Sequence, residues 1–194
     1  MGASVALTLT KREIIQDRLA ITCIGTISFV LLTALGAYIY IPLGFTPVPI
    51  TLQTFFVLLS GALLGRRLGS LSQGIYLLLG GLGLPIFLSG AFGFYYILGP
   101  TGGYLVGFVA ASYIIGRMLK NSESTAAILS ALIVGELVIL FCGAGWLKFG
   151  LGLGTRKAFY LGVLPFVPAD TIKIIVAAFI CRKYLQRSKQ LFYN

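Results

Sequence analysis

The sequence predicts an all-α integral membrane protein of six transmembrane helices, with both termini in the cytoplasm. Composition is the first reason. Of 194 residues, 58% are hydrophobic and 10% charged, and the mean hydropathy is +0.97, whereas a soluble domain carries about 25% charged residues. The second reason is pattern: apolar runs near the roughly 20 residues that a spanning helix needs alternate with short segments rich in glycine, proline or charge. The third is the placement of cations. With both termini inside, Lys11, Arg12, Arg18, Arg66, Arg67, Arg117, Lys120, Arg182, Lys183, Arg187 and Lys189 share one side, and only Lys148, Arg156 and Lys157 lie opposite. That is the bias of the positive-inside rule. The same distribution argues against nucleic acid, because the net charge of +10 is spread over the ends of apolar runs and forms no basic stripe with interleaved aromatics.

Taken in order, residues 1–18 read as a weakly polar cytoplasmic segment, 19–185 as the transmembrane domain and 186–194 as a basic cytoplasmic tail. Helix 1 runs from Leu19 to Ile41, too long for a signal-peptide core. Thr33, Gly36 and Ala37 give it a small-residue face, suited equally to packing within the chain and to docking a partner helix. Pro42, Pro47 and Pro49 then forbid a helix interior, so an uncharged ordered loop follows, with helix 2 starting near Ile50 and stopping at Gly65. Helix 3 covers about Leu68 to Leu84. The glycine-rich stretch from Gly80 to Gly103 cannot face lipid with unpaired backbone, but it can line or cover a cavity.

Thr101 is placed to cap helix 4, about Gly102 to Leu119. Helix 5 runs from about Thr125 to Trp146, with Trp146 as an interfacial anchor. It carries Glu136 in mid-span, where a carboxyl group requires an internal partner. The 147–164 connection predicts a short interfacial helix around 156–162. Helix 6 opens at Pro168, whose fixed φ and missing N–H suit a first turn, and ends near Tyr184.

Function classes narrow quickly. The chain has no histidine, which removes the usual general base and the commonest metal ligand. Cys23, Cys142 and Cys181 are isolated, read as small buried hydrophobes, and support neither a metal site nor a redox motif. No phosphate-binding loop is present, since the Gly99–Tyr104 loop lacks the Gly-Lys-Ser/Thr ending. The residues therefore point to a binding or transport module that is not an enzyme, has no cofactor or metal, and draws energy from elsewhere.

The chemistry concentrates on Asp170 and Lys173. Three residues apart, they project together from the first turns of helix 6, where the macrodipole favours the carboxylate and not the ammonium. Such a pair inside a lipid-soluble chain marks a polar ligand site, the alternative being a structural ion pair near the interface. Thr51, Gln53 and Tyr76 are further polar groups that could face the same cavity.

Four stretches carry a resemblance: Ile41-Pro42-Leu43 with Thr46 to Thr54, Gly83-Leu84-Pro85-Ile86-Phe87, Gly99 to Phe108, and Leu164 to Lys173. In this order they closely resemble the BioY family, the biotin-binding S components of energy-coupling factor (ECF) transporters, across about residues 20–185. The resemblance implies an S-component fold in the plasma membrane, with an outward-facing biotin site closed by the loops after helices 1 and 3. It implies polar substrate contacts from Asp170 and Lys173, and the further candidate contacts are Gln53, Thr51, Tyr76 and, in the loop before helix 4 and its first turn, Gly99, Pro100, Thr101, Gly102 and Tyr104. It also implies partnership with a transmembrane coupling protein, to which helix 1 would offer Thr33, Gly36 and Ala37, and with two cytoplasmic ATPases. Two rivals stand beside it: a channel or facilitator acting without partners, and an S component for another vitamin. Whether the chain acts alone, as a homo-oligomer or in a full complex is left open by the residues.

Overall fold

The computed structural model describes residues 2–193, with side chains from Arg18 onward. Seven α-helices form the body: α1 (Gly2–Tyr38), α2 (Gln53–Gly81), α3 (Phe94–Ile97), α4 (Gly102–Met118), α5 (Thr125–Phe149), α6 (Thr155–Gly162) and α7 (Val167–Phe192). Three of them are long and apolar enough to cross a membrane, within α1, α2 and α5, and the bent pair α6–α7, with 50° between its parts, makes a fourth candidate. A stripe of α1 side chains, Ile24, Ile27, Leu31 and Leu35, is exposed at the three-and-four spacing of one helical face. In a chain of this composition that face meets lipid.

The element α2 is a helical hairpin. Gly65 breaks it with φ 79° and ψ 178°, a combination essentially closed to residues with a Cβ. The second limb therefore doubles back on the first: Gln73 Nε2 donates to Ser60 Oγ at 3.1 Å and Gln53 Nε2 to Tyr76 Oη at 2.6 Å. The two helices expected around Gly65 are these two limbs. Gly65→Ala is expected to destabilise the fold by about 1–3 kcal/mol, the usual cost of such backbone strain. Gly74→Ala, whose added methyl meets nothing within 4 Å, should instead stabilise slightly through helix propensity. Thermal unfolding of the two variants in detergent checks the opposite signs.

The bundle has two apolar clusters. One, with Val57, Tyr76, Phe87, Leu105, Phe108 and Ile139, surrounds the candidate site, and the other, with Leu58, Ile115, Leu119, Ile128, Leu132 and Leu185, fills the opposite end. Between them runs a buried polar layer. Gln73 donates to Thr33 Oγ1 at 3.2 Å and to Ser60 Oγ, while Ser60 and Ser112 hydroxyls meet at 3.1 Å. Polar side chains that satisfy each other hold helices together where lipid-soluble surface gives no hydrophobic drive.

Several boundaries differ from the sequence expectation, each for a visible reason. Helix α1 stops at Tyr38 because Tyr40–Ile41 and Ile50–Thr51 pair as a two-residue antiparallel ribbon, β1 and β2. That ribbon closes the proline-rich loop and delays the next helix to Gln53. At the other end, α7 continues to Phe192 and takes in the expected basic tail. Leu185 and Ser188 are buried, with Ser188 Oγ donating to the Leu63 carbonyl, and Lys189 Nζ reaches the Ser122 carbonyl at 3.1 Å and Glu123 at 3.4 Å. The tail is a last helical turn pinned under the α2 hairpin. Of the cysteines, only Cys181 is buried, Cys142 is half-buried and Cys23 is exposed.

Candidate functional site

A chamber lies between the first turns of α2, α4 and α7, the middle of α5 and the two long connections. Pro168 at the start of α7 sets the first turn so that Asp170 and Lys173 point into it. Lys173 Nζ donates to Asp170 Oδ1 at 2.8 Å and to Thr54 Oγ1 at 2.9 Å. Asp170 is 3% exposed and Lys173 9%, so each charge depends on the other. A buried pair of this kind is strongly coupled, and loss of one partner leaves the other uncompensated.

Around this pair the polar groups are largely committed to one another. Thr51 Oγ1 donates to Gln53 Oε1 at 3.3 Å, Gln53 Nε2 to the Tyr76 hydroxyl at 2.6 Å, and that hydroxyl to the Ile86 carbonyl at 3.0 Å. This relay ties the α2 hairpin to the loop after it. Tyr104 donates to the Gly162 carbonyl at 2.7 Å and turns its ring toward Phe166 at 6.0 Å between centroids. Phe87 stacks on Tyr96 at 5.0 Å and meets Tyr76 edge-on at 5.5 Å, so aromatic packing orders the 82–101 connection despite its four glycines. Thr46 Oγ1 donates to the Leu161 carbonyl at 2.8 Å, fastening the proline-rich connection to α6. Together the two connections form the roof.

Of the residues singled out from the sequence, Asp170, Lys173, Thr51, Gln53, Tyr76, Thr101 and Tyr104 line the chamber. Gly99, Pro100 and Gly102 do not. They build its rim: the Gly99 carbonyl accepts from Trp146 Nε1 at 2.9 Å, and a methyl on Gly102 would fall 1.7 Å from the Ile97 carbonyl oxygen. Trp146 is thereby a loop anchor as well as an aromatic residue near a helix end. Thr101 makes no capping bond to α4, because it is already helical at φ −87° and ψ −10°.

The small-residue face of α1 turns inward. Thr33 and Ala37 are fully buried, Thr33 is bonded to Gln73, and a methyl on Gly36 would lie 2.9 Å from the Gln53 backbone nitrogen. This face packs against α2, and a partner would not reach these three residues without displacing that hairpin.

Sequence reasoning did not place Val48, Thr54, Tyr96, Phe108, Glu136 and Phe166 in the site, yet all six line it. Thr54 directly follows Gln53 at the head of α2, a local signal in the sequence. Glu136 is visible in the sequence as a mid-span carboxyl group, and it lies beside the Asp170 carboxyl group with neither of its oxygens meeting a donor.

The family to which this arrangement belongs emerges from comparison with known proteins. The chain is 44% identical over 152 residues to the biotin transporter BioY of Thermotoga maritima, covering 78% of this chain and 88% of that protein. It is 37% identical over 161 residues to the biotin transporter BioY of Rhizobium etli, covering 78% and 86%. A 2.1 Å crystal structure of the S-component for biotin from an ECF-type ABC transporter superposes with a TM-score of 0.82 at 29% identity, over 92% of this chain and 98% of that one. The BioY family model matches residues 10–190, and the chain belongs to the BioY family.

Proposed function

We propose that this chain captures biotin from the outer side of the membrane, as the substrate-binding S component of an ECF-type transporter. The observation that carries the reading is the Asp170–Lys173–Thr54 cluster, buried at the wall of a chamber whose other lining is mostly aromatic and aliphatic. Biotin offers a compact apolar bicycle with a cyclic urea of two N–H donors and one carbonyl. Carboxylate oxygens accept N–H bonds and an ammonium donates to a carbonyl, while the surrounding rings cover the bicycle. Membership of the BioY family supports the choice of ligand.

Six spans fit this function: α1, the two limbs of α2, α4, α5 and α7. The distribution of Lys and Arg supports both termini inside, which puts the tip of the α2 hairpin, at Arg66 and Arg67, on the cytoplasmic side and the roofed chamber outside. Energy would then come from a transmembrane coupling protein and two cytoplasmic ATPases.

The test is calorimetric titration of the detergent-purified chain with biotin, with riboflavin as control. Saturable one-to-one binding tighter than about 1 μM, without heat from riboflavin, is the expected result. Folded protein that gives no heat with biotin would refute the ligand assignment and leave the fold intact.

A further inference from the structure

Among the described residues, the buried side-chain oxygens without a hydrogen-bond partner are Thr101 Oγ1, Glu136 Oε1 and Glu136 Oε2. All belong to residues that line this one chamber. Glu136 is 3% exposed. A carboxyl group held out of water with neither oxygen bonded costs free energy, and a protein interior ordinarily satisfies or removes such a group. Here Asp170, Lys173, Gln53 and Thr54 are each engaged with one another or with Tyr76 and Thr51. Glu136 faces the same space beside the Asp170 carboxyl group, and neither of its oxygens meets a donor.

We propose that Glu136 is a second ligand-reading carboxyl group, which accepts one N–H of the cyclic urea while Asp170 accepts the other. The proposal rests on the biotin reading above. The chemistry requires two acceptors: the two N–H groups of a cyclic urea diverge to opposite sides of its carbonyl, so one carboxyl group does not serve both well. Asp170 and Lys173 come from α7 and Glu136 from α5, so two carboxyl groups carried by different helices meet side by side at the chamber. The urea supplies the partner that no side chain of the chamber gives Glu136. It is a specificity-determining residue, because a ligand whose head group lacks the second donor leaves it buried and unpaired.

The experiment is a chemical double-mutant cycle with Glu136→Leu, which keeps similar bulk and removes the acceptor, and with biotin methylated on either ureido nitrogen. Biotin affinity should fall by about tenfold in the variant, the range for losing one buried hydrogen bond. Ligand-free melting temperature should hold or rise by a few degrees, since the uncompensated group is gone. For one of the two N-methyl ureas, the penalty for methylation should shrink by about fivefold or more relative to the native chain. Unchanged biotin affinity would overturn the proposal, as would methylation penalties identical in both proteins for both nitrogens. If Glu136→Leu does not fold, Glu136→Met, which also lacks an oxygen acceptor, enters the same cycle, with the same shrinking penalty expected and the same identity of penalties overturning it. A native chain that binds no biotin defeats the function itself, whereas a native chain that binds and a variant that binds equally defeats only the role of Glu136.

Discussion

Asp170→Asn is expected to weaken biotin binding by about two orders of magnitude or more. Asparagine keeps the shape and one acceptor but carries no charge. It leaves the Lys173 ammonium, 9% exposed, with Thr54 Oγ1 at 2.9 Å as its remaining partner. Breaking one side of a buried ion pair costs about 3–5 kcal/mol, and each 1.4 kcal/mol is a factor of ten. Part of that loss falls on the fold and part on the ligand, so affinity alone does not distinguish a ligand site from a structural ion pair. The double variant Asp170→Asn with Lys173→Met does. Removing both charges relieves the uncompensated ammonium and should restore most of the melting temperature, because a buried pair exchanged for neutral groups of similar volume is often tolerated. Binding should stay weakened, since the charged acceptor and the cationic donor for the urea are both gone. Calorimetry and thermal unfolding on the same preparations read the two quantities separately. Recovery of both together would make the pair structural.

What the sequence could disclose about this site follows from how far apart the contacting residues lie in the chain. Asp170 and Lys173 were legible because their relation is local: one helical turn fixes it once Pro168 sets the helix start. Gln53 is legible as the first residue of the α2 hairpin, and Thr51 as a polar neighbour two residues before it in β2. The hairpin itself could be read from Gly65 followed by two arginines, since a glycine and a charge pair cannot continue an apolar span comfortably. Phe166, Tyr96 and Phe108 were not legible. Nothing local distinguishes an aromatic ring in a binding chamber from one in a packed core, and their convergence depends on helices far apart in sequence. Thr101 was read as a helix cap on residue type, but a cap needs extended backbone and this threonine is helical, which frees its hydroxyl toward the chamber. The face of α1 around Thr33 and Ala37 shows the reverse problem. Small residues announce close packing and say nothing about whether the neighbour is the same chain. The buried Gln73 opposite them settles that question only in three dimensions.

Gly103→Leu should yield no folded protein. Helices α4 and α5 approach so closely that a methyl on Gly103 would sit 2.2 Å from Trp146 Cβ and 2.5 Å from the Cys142 carbonyl oxygen. One turn on, a methyl on Gly107 would lie 3.0 Å from Cys142 Cβ and 3.1 Å from Ile139 Cα. This spacing of two glycines four apart is the seam by which helices without a hydrophobic drive between them pack backbone to backbone. The neighbours are main chain or the first atom of a side chain, so no rotamer change opens space. Overpacking a well-packed core by a methylene or two costs about 1–3 kcal/mol, and leucine brings four carbons of which the first already collides. A stability of about 5–15 kcal/mol does not absorb helix separation of that extent. The consequences reach the chamber, since Tyr104 and Leu105 stand on the same turn of α4 and line it, and Trp146 would release the Gly99 carbonyl it holds at the rim. Gly103→Ala should give a folded but destabilised protein with weakened biotin binding. Gly145→Ala, on α5 one residue before Trp146, meets nothing within 4 Å and should gain up to about 1 kcal/mol from helix propensity. Size-exclusion profiles and melting curves of the three variants should therefore rank Gly145→Ala above the native chain, Gly103→Ala below it and Gly103→Leu in the aggregate fraction. A Gly103→Leu protein that melts like the native chain would mean that α4 and α5 do not meet at this seam.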